Sequence, residues 1–114
     1  MSKIQAVITG LENVVEILPS IVREIPLELL KQRPSPDKWS AHEHACHLAQ
    51  VHPMFFERLN LMLAQDNPII KPYFPDKHDE PDLLFKTDLD EALERFAGDR
   101  KRLIEKLKSL SFFV

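Results

Sequence analysis

The longest helix that the sequence predicts begins in the stretch SAHEHACHLAQVH, residues 40–52. Ser40 and Glu43 form a capping-box pattern, in which each side chain accepts a hydrogen bond from the backbone N–H of the other residue. We therefore predict a helix from about Ser40 to about Ala64, with a bend at Pro53 because a proline inside a helix removes one backbone hydrogen bond. Its apolar residues step by four and three, which predicts a packing seam at Ala41, Ala45, Leu48, His52, Phe55, Leu59 and Met62.

Two further long helices are predicted, one on each side of this one. Apolar residues recur every three or four positions from Ile4 to about Glu24, a helical period that Pro19 interrupts. Downstream, Thr87 or Asp88 is predicted to cap a third long helix, whose apolar residues follow a similar seam. Both helices therefore have one face suited to packing against a neighbour.

The segments between these helices are short or rich in proline. Residues 27–30 are predicted to form one helical turn, and residues 82–85 another within the long loop 65–87. Loops of this length in compact domains are usually functional or connect distant helix ends. Three long helices joined in this way predict an all-α fold, an up-down helical bundle that forms a single domain over residues 1–114.

Charge and cysteine usage exclude several classes of function. The formal net charge of −3 gives the chain no overall attraction for nucleic-acid phosphates or anionic lipid. A single cysteine, Cys46, cannot form an intramolecular disulfide, which favours a reducing compartment. The N-terminal residues lack the apolar core of a signal peptide, and no stretch approaches the length of a membrane span. We therefore expect a cytoplasmic protein with neither a nucleic-acid nor a membrane partner.

Histidines are concentrated at the start of the central helix. At about 100° per residue, His44 and His52 are predicted to point near the buried seam, with His47 at its edge and His42 towards solvent. Glu43 and His47 are four residues apart and His44 and His47 are three apart, so either pair presents two metal ligands from adjacent turns. The more common alternative is that histidines near a seam are packed, hydrogen-bonded core residues.

Three other side chains have two interpretations each. Trp39 precedes the helix cap, where it either packs the preceding loop onto the helix or stacks against a ligand. Cys46 lies about 150° from the centre of the seam, and a quiet small residue is a more common outcome there than a reactive thiol. Arg100 occupies a seam position of the third long helix, where it either extends along apolar surface or binds an anionic ligand.

The residues DKWSAHEHACHLA, 37–49, resemble the second-helix signature of the DinB-like superfamily. That signature is a Trp, a Ser or Thr, several variable residues, and then His-Leu or His-Val before a small residue. The later PIIKPY, residues 68–73, resembles the loop that follows this helix in the YfiT-type branch. The resemblance implies a DinB/YfiT-like four-helix bundle, of which this sequence supplies three long helices with the fourth absent.

The resemblance also implies a divalent metal ion held by three histidines. One comes from the second helix and matches His47, whereas the other two come from a His-x-x-x-His pair on the fourth helix that this sequence does not contain. We therefore expect an incomplete metal site, with His47, His52 and Glu43 as candidate ligands, at which zinc or nickel binds weakly or not at all. Candidate ligand-pocket residues are Trp39, His44, Tyr73 and Arg100.

Three functions are consistent with this sequence. The first is a metal-binding protein of the DinB-like kind with an incomplete metal site. The second is a metal-dependent transferase of thiol or small electrophilic substrates, a class that the superfamily includes. The third is a non-catalytic helical interaction module.

A bundle that lacks one helix leaves an apolar groove, which predicts self-association as a homodimer. The residues predicted to edge this groove are Leu48, Phe55, Leu93, Phe96 and Leu103, with Phe112 and Phe113 near its end.

Overall fold

The computed structural model of the chain describes residues 3–73 and 82–110. The described residues form an all-α fold with five helices, of which three are long. They are α1 (Lys3–Arg23), α2 (Leu27–Leu30), α3 (Ala41–Ala64), α4 (Leu83–Lys86) and α5 (Leu89–Lys108). The predicted all-α helical bundle is therefore confirmed, and both short helical turns lie close to where the sequence places them.

The start of α3 is the capping box that the sequence predicts. Ser40 Oγ accepts a hydrogen bond from the Glu43 N–H at 3.2 Å, and the Glu43 carboxylate accepts one from the Ser40 N–H at 3.0 Å. Both residues are buried, so water does not compete for these bonds. The helix ends at Ala64, as predicted, and runs through Pro53, where a bend stays a prediction.

The other two long helices also agree with the sequence pattern. Helix α1 continues through Pro19 and ends at Arg23. At the start of α5, Asp88 is the cap, and its carboxylate accepts a hydrogen bond from the Glu91 N–H at 2.9 Å. The choice between Thr87 and Asp88 is thereby resolved in favour of Asp88.

The core lies where α3 packs against α5, and small residues dominate it. Ala45, Cys46 and Ala49 of α3 are at most 4% exposed, as is Ala92 of α5. The small side chains of Cys46, Ala49 and Ala92 allow α3 and α5 to approach closely, whereas Ala45 packs with Val22 of α1 and Leu30 of α2. Phe96 and Leu84 fill the remaining space beside Cys46 and Ala49.

The predicted seam of α3 is therefore only partly correct. Ala45 and His52 are buried, but Leu48, Phe55 and Met62 are 39%, 51% and 52% exposed. The spacing predicts that these large apolar side chains are buried, whereas the buried face of α3 is centred on Ala45, Cys46 and Ala49, on another side of the helix. Leu93 and Phe96 of α5 are also buried rather than at the edge of an open groove. Residues 112 and 113 lie outside the described residues.

Because the buried face lies on another side of α3 than predicted, three more predictions about this helix are wrong. His42 is 2% exposed instead of solvated, and Cys46 is completely buried instead of facing away from the core. His44 is exposed instead of near the buried seam. His52 is buried as predicted and His47 is half-buried, so the expectation that His47 is better buried than His42 is wrong; His78 lies outside the described residues.

Helix α1 is long and apolar enough, by length and composition alone, to cross a membrane. The expectation that no stretch approaches the length of a span is therefore wrong. Helix α1 also has the amphipathic pattern of a helix in a globular protein, and its Ile8 and Val22 are buried against the rest of the chain. Length and composition do not distinguish a span from such a helix.

Candidate functional site

Trp39 brings two histidines together at the start of α3. Its ring lies 5.4 Å from the His44 ring in an edge-to-face arrangement and 4.8 Å from the His47 ring, centroid to centroid. Trp39 directly precedes the cap Ser40, and His44 is the fourth residue of the helix, which is the geometry of a staple across a helix start. The predicted role of Trp39 in packing the loop onto the helix is therefore confirmed.

The two imidazoles lie on the outer side of α3. His44 is exposed and His47 is half-buried, in contrast to the buried His42 and His52. Residues three apart on a helix are neighbours on one face. Because the ring of Trp39 contacts both imidazoles, their positions are restricted from one side.

Glu43 is also a candidate metal ligand, but its carboxylate forms an ion pair with Arg33. Arg33 donates from Nε to Glu43 Oε1 and from Nη2 to Glu43 Oε2, both at 2.8 Å. This bidentate pair and the hydrogen bonds from Ser40 lower the pKa of the buried Glu43 carboxyl to about 2. Both carboxylate oxygens are therefore already occupied by donors.

Arg33 also connects the start of α3 to α4. Its Nη2 donates to Asp82 Oδ1 at 2.9 Å, and its guanidinium lies 5.2 Å from the centre of the Phe85 ring. The two carboxylate partners raise the pKa of Arg33 further above its already high value. Arg33 therefore connects the loop before α3, the start of α3 and the start of α4. The sequence gives no sign of the Arg33–Glu43 pair, because ten residues separate the two partners.

His52, another candidate ligand, lies deeper in the bundle. Its Nε2 accepts a hydrogen bond from Arg100 Nε at 3.0 Å, and its ring meets the Phe96 ring edge-to-face at 5.5 Å. Burial and the positive charge of Arg100 lower the pKa of His52. Arg100 also donates from Nη1 to the Leu11 carbonyl of α1 at 3.0 Å, so its side chain connects α1, α3 and α5.

A second buried histidine, His42, pairs with the backbone near the start of α5. Its Nε2 lies 2.8 Å from the Thr87 carbonyl oxygen and 3.6 Å from Cys46 Sγ. A carbonyl only accepts, so His42 Nε2 carries the proton and cannot act as a base towards the thiol. Burial raises the pKa of Cys46 to about 11, so the thiol stays protonated at neutral pH.

The three candidate ligands are not brought together. Within residues 3–73 and 82–110, no group of three His, Cys, Asp or Glu side chains is placed to hold a metal ion. Glu43 is bonded to Arg33, and His52 to Arg100. The three-ligand centre that the resemblance implies therefore does not fit the described residues. Of the other two histidines of this segment, His44 is exposed, whereas His47 is half-buried and its Nδ1 atom is buried.

The four candidate pocket residues also lie in different places. Trp39 and His44 contact each other, whereas Tyr73 lines a cavity of about 590 Å³ together with Met54 and Ile70. Arg58 closes one side of that cavity, donating from Nη2 to the Lys71 carbonyl at 2.8 Å. Arg100 lies between the long helices, bonded to His52 and to Leu11.

Comparison with known proteins gives one family match. A family model described as DinB superfamily matches residues 11–112, which is most of the chain. The comparisons with curated proteins and with solved structures give no match.

Proposed function

The chain belongs to the DinB superfamily, and from this membership we propose that it binds a divalent metal ion weakly, through the imidazoles of His44 and His47. The observation that carries the proposal is the contact of Trp39 with both rings, at 5.4 and 4.8 Å. Two histidines on adjacent turns, one exposed and one half-buried, would supply one nitrogen ligand each, and at His47 that nitrogen is Nε2 because Nδ1 is buried.

Zinc and nickel are the ions that we expect at this pair. Both accept imidazole nitrogen, and zinc in proteins usually has four ligands, of which this pair supplies two. Water would complete the coordination shell, so we expect micromolar affinity or weaker. Glu43 does not add a third ligand unless its ion pair with Arg33 opens, and His52 would first have to release Arg100.

Calorimetric titration with zinc chloride tests the proposal. The wild-type protein should bind weakly, and His47→Ala and His44→Ala should each abolish the measurable heat. The control is Glu57→Ala, which removes an exposed carboxylate from the same helix without touching either histidine. Binding that is unchanged in both histidine variants would overturn the proposal. Tight stoichiometric binding that His47→Ala abolishes would show that a complete centre exists, with ligands beyond these two histidines.

A second candidate function is that of a helical interaction module. The observation that favours it is the exposure of large apolar side chains on two of the long helices, including Phe55 and Met62 on α3 and Ile17 and Ile21 on α1. Monomeric proteins seldom expose apolar residues in continuous stripes. This function does not require metal.

A further inference from the structure

A cavity of about 650 Å³ opens between α1, α2 and the start of α5. Its volume lies within the range of small-molecule sites, about 300–1,000 Å³. Trp39, His44 and His47 do not line this cavity, so it is separate from the proposed metal site. The cavity has an apolar floor and a charged rim, and the two parts are described in turn.

The floor of the cavity reaches the core of the bundle. Val22 of α1, Leu30 of α2 and Leu93 of α5 line it, and they are 4%, 9% and 6% exposed. The imidazole of His42 also lines it, and its Nε2 is already bonded to a backbone carbonyl. Towards solvent, the wall includes Leu27, which is 85% exposed. An apolar group that enters the cavity therefore contacts aliphatic side chains and leaves water.

The rim of the cavity carries a net positive charge. It is formed by three cations and two carboxylates, namely Arg23, Lys31, Lys86, Asp88 and Asp90. Both carboxylates already have partners within the protein. Asp88 accepts a hydrogen bond from the first turn of α5 at 2.9 Å, and Asp90 lies 3.5 Å from Arg23. The charge that remains is that of the two lysines.

Lys31 and Lys86 have no carboxylate within ion-pair distance among residues 3–73 and 82–110. Lys31 Nζ lies 5.0 Å from the centre of the Phe85 ring, a contact that leaves its charge unneutralised. Its charge also acts on the floor of the cavity, since after burial it is the next largest cause of the lowered pKa of His42. Both lysines are exposed, so their ammonium groups are accessible to a ligand.

We propose that this cavity binds a small monocarboxylate with an apolar body. The carboxylate pairs with Lys31 and Lys86 at the rim, and the apolar body lies on the floor. Ion pairs beside apolar walls are screened less than pairs in open water. A single negative charge balances the net charge of the rim, whereas a second one would meet Asp88 and Asp90 without a further cation. A monoanion is therefore favoured over a dicarboxylate or a phosphate monoester.

Calorimetric titration with sodium octanoate tests the proposal. Octanoate should bind, and octylammonium, which has the same chain length, should bind at least about tenfold more weakly because its charge repels the two lysines. Lys31→Met and Lys86→Met should each weaken octanoate binding by roughly threefold to fivefold, the loss of one partly exposed ion pair. The matched control is Lys101→Met, at an exposed lysine of α5 outside the cavity, which should leave the affinity unchanged.

Three results of the titration would overturn the proposal. They are no binding of octanoate at millimolar concentration, equal affinity for octanoate and octylammonium, and octanoate binding that neither variant of the cavity weakens.

NMR locates the bound octanoate without relying on the lysine variants. The backbone amide signals of Leu27, Lys31 and Leu89 should shift as octanoate is added, because these residues line the cavity. The signals of Phe55 and Met62, which are 51% and 52% exposed on α3, should not shift. Shifts centred on Phe55 and Met62 would show that octanoate binds exposed apolar surface instead, and would contradict the assignment of the cavity.

Discussion

Arg100 donates from Nε to Nε2 of His52 at 3.0 Å, and this bond fixes the protonation of the imidazole. Because the guanidinium N–H can only donate, Nε2 must accept, and the neutral ring carries its proton on Nδ1. The Nδ1 atom is buried and has no hydrogen-bond partner among the described residues. His52 is therefore a neutral acceptor for a partly buried cation, which is a structural role.

Replacing Arg100 should weaken the bundle and free His52. Arg100→Met removes the bonds to His52 and to the Leu11 carbonyl, so we expect the free energy of unfolding to fall by about 1–3 kcal/mol. The pKa of His52 should rise, because a positive charge beside it is lost. Urea denaturation and NMR titration of the histidine ring protons measure the two effects. Lys101→Met, at an exposed neighbouring position, is the control; equal stability of the two variants would contradict the assignment.

Stability should decrease as the pH falls below about 6.5. Burial lowers the pKa values of His42 and His52 below the usual 6.5, so the folded state holds fewer protons than the unfolded state once the pH falls below that value. Their contribution is present above 6.5 and is lost as the pH falls through the folded-state pKa values. Denaturation at pH 7.5 and at pH 5.5 measures the loss. His52→Gln should make the free energy of unfolding less dependent on pH. An unchanged free energy of unfolding between the two pH values in the wild-type protein would refute this prediction.

The Arg33–Glu43 pair should contribute much more to stability than an exposed pair. Arg33→Met leaves a buried carboxylate without its cation, and we expect a loss of roughly 3 kcal/mol together with a rise in the pKa of Glu43. Arg102→Met breaks the more exposed pair with Asp99 three residues away and should cost less than about 1 kcal/mol. Chemical denaturation at neutral pH compares the two variants. A similar loss in both would show that burial of Glu43 is not the cause.

Cys46 should be unreactive in the folded protein. Burial raises the pKa of its thiol from 9.0 to about 11, which lowers the thiolate fraction about a hundredfold at neutral pH, and the side chain is completely buried. Alkylation by iodoacetamide should therefore be at least that much slower in buffer than in concentrated urea. Similar rates in the two conditions would mean that Cys46 is accessible and that the packing of α3 against α5 is misassigned.

Local signals predicted the ends of the helices. Ser40 with Glu43 fixed the start of α3, and Asp88 the start of α5, because a cap is formed by residues within one turn of each other. The same short range explains the position of Trp39 against His44. These features depend on a few neighbouring residues and need no knowledge of how the helices pack.

The buried face of α3 required tertiary information. The four-and-three spacing predicts Leu48 and Phe55 in the core, but α3 packs against α5 through Cys46 and Ala49, on another side of the helix. His42 is buried, and the carbonyl of Thr87, 45 residues away, accepts a hydrogen bond from its Nε2–H. The sequence does not indicate the Arg33–Glu43 pair, because Arg33 lies in an irregular loop. None of these partners shares a periodic pattern with the residue it contacts.

Fluorescence of Trp39 is the most direct test of the central claim, that the metal ion binds beside His44 and His47. Trp39 is the single tryptophan of the sequence and contacts both imidazoles, so its emission reports on this site alone. Titration with nickel, a paramagnetic quencher at short range, should reduce the emission with the same midpoint as the heat of binding, and His47→Ala should remove both signals. Nickel binding that is detected by calorimetry but leaves the emission of Trp39 unchanged would place the ion elsewhere and contradict the account.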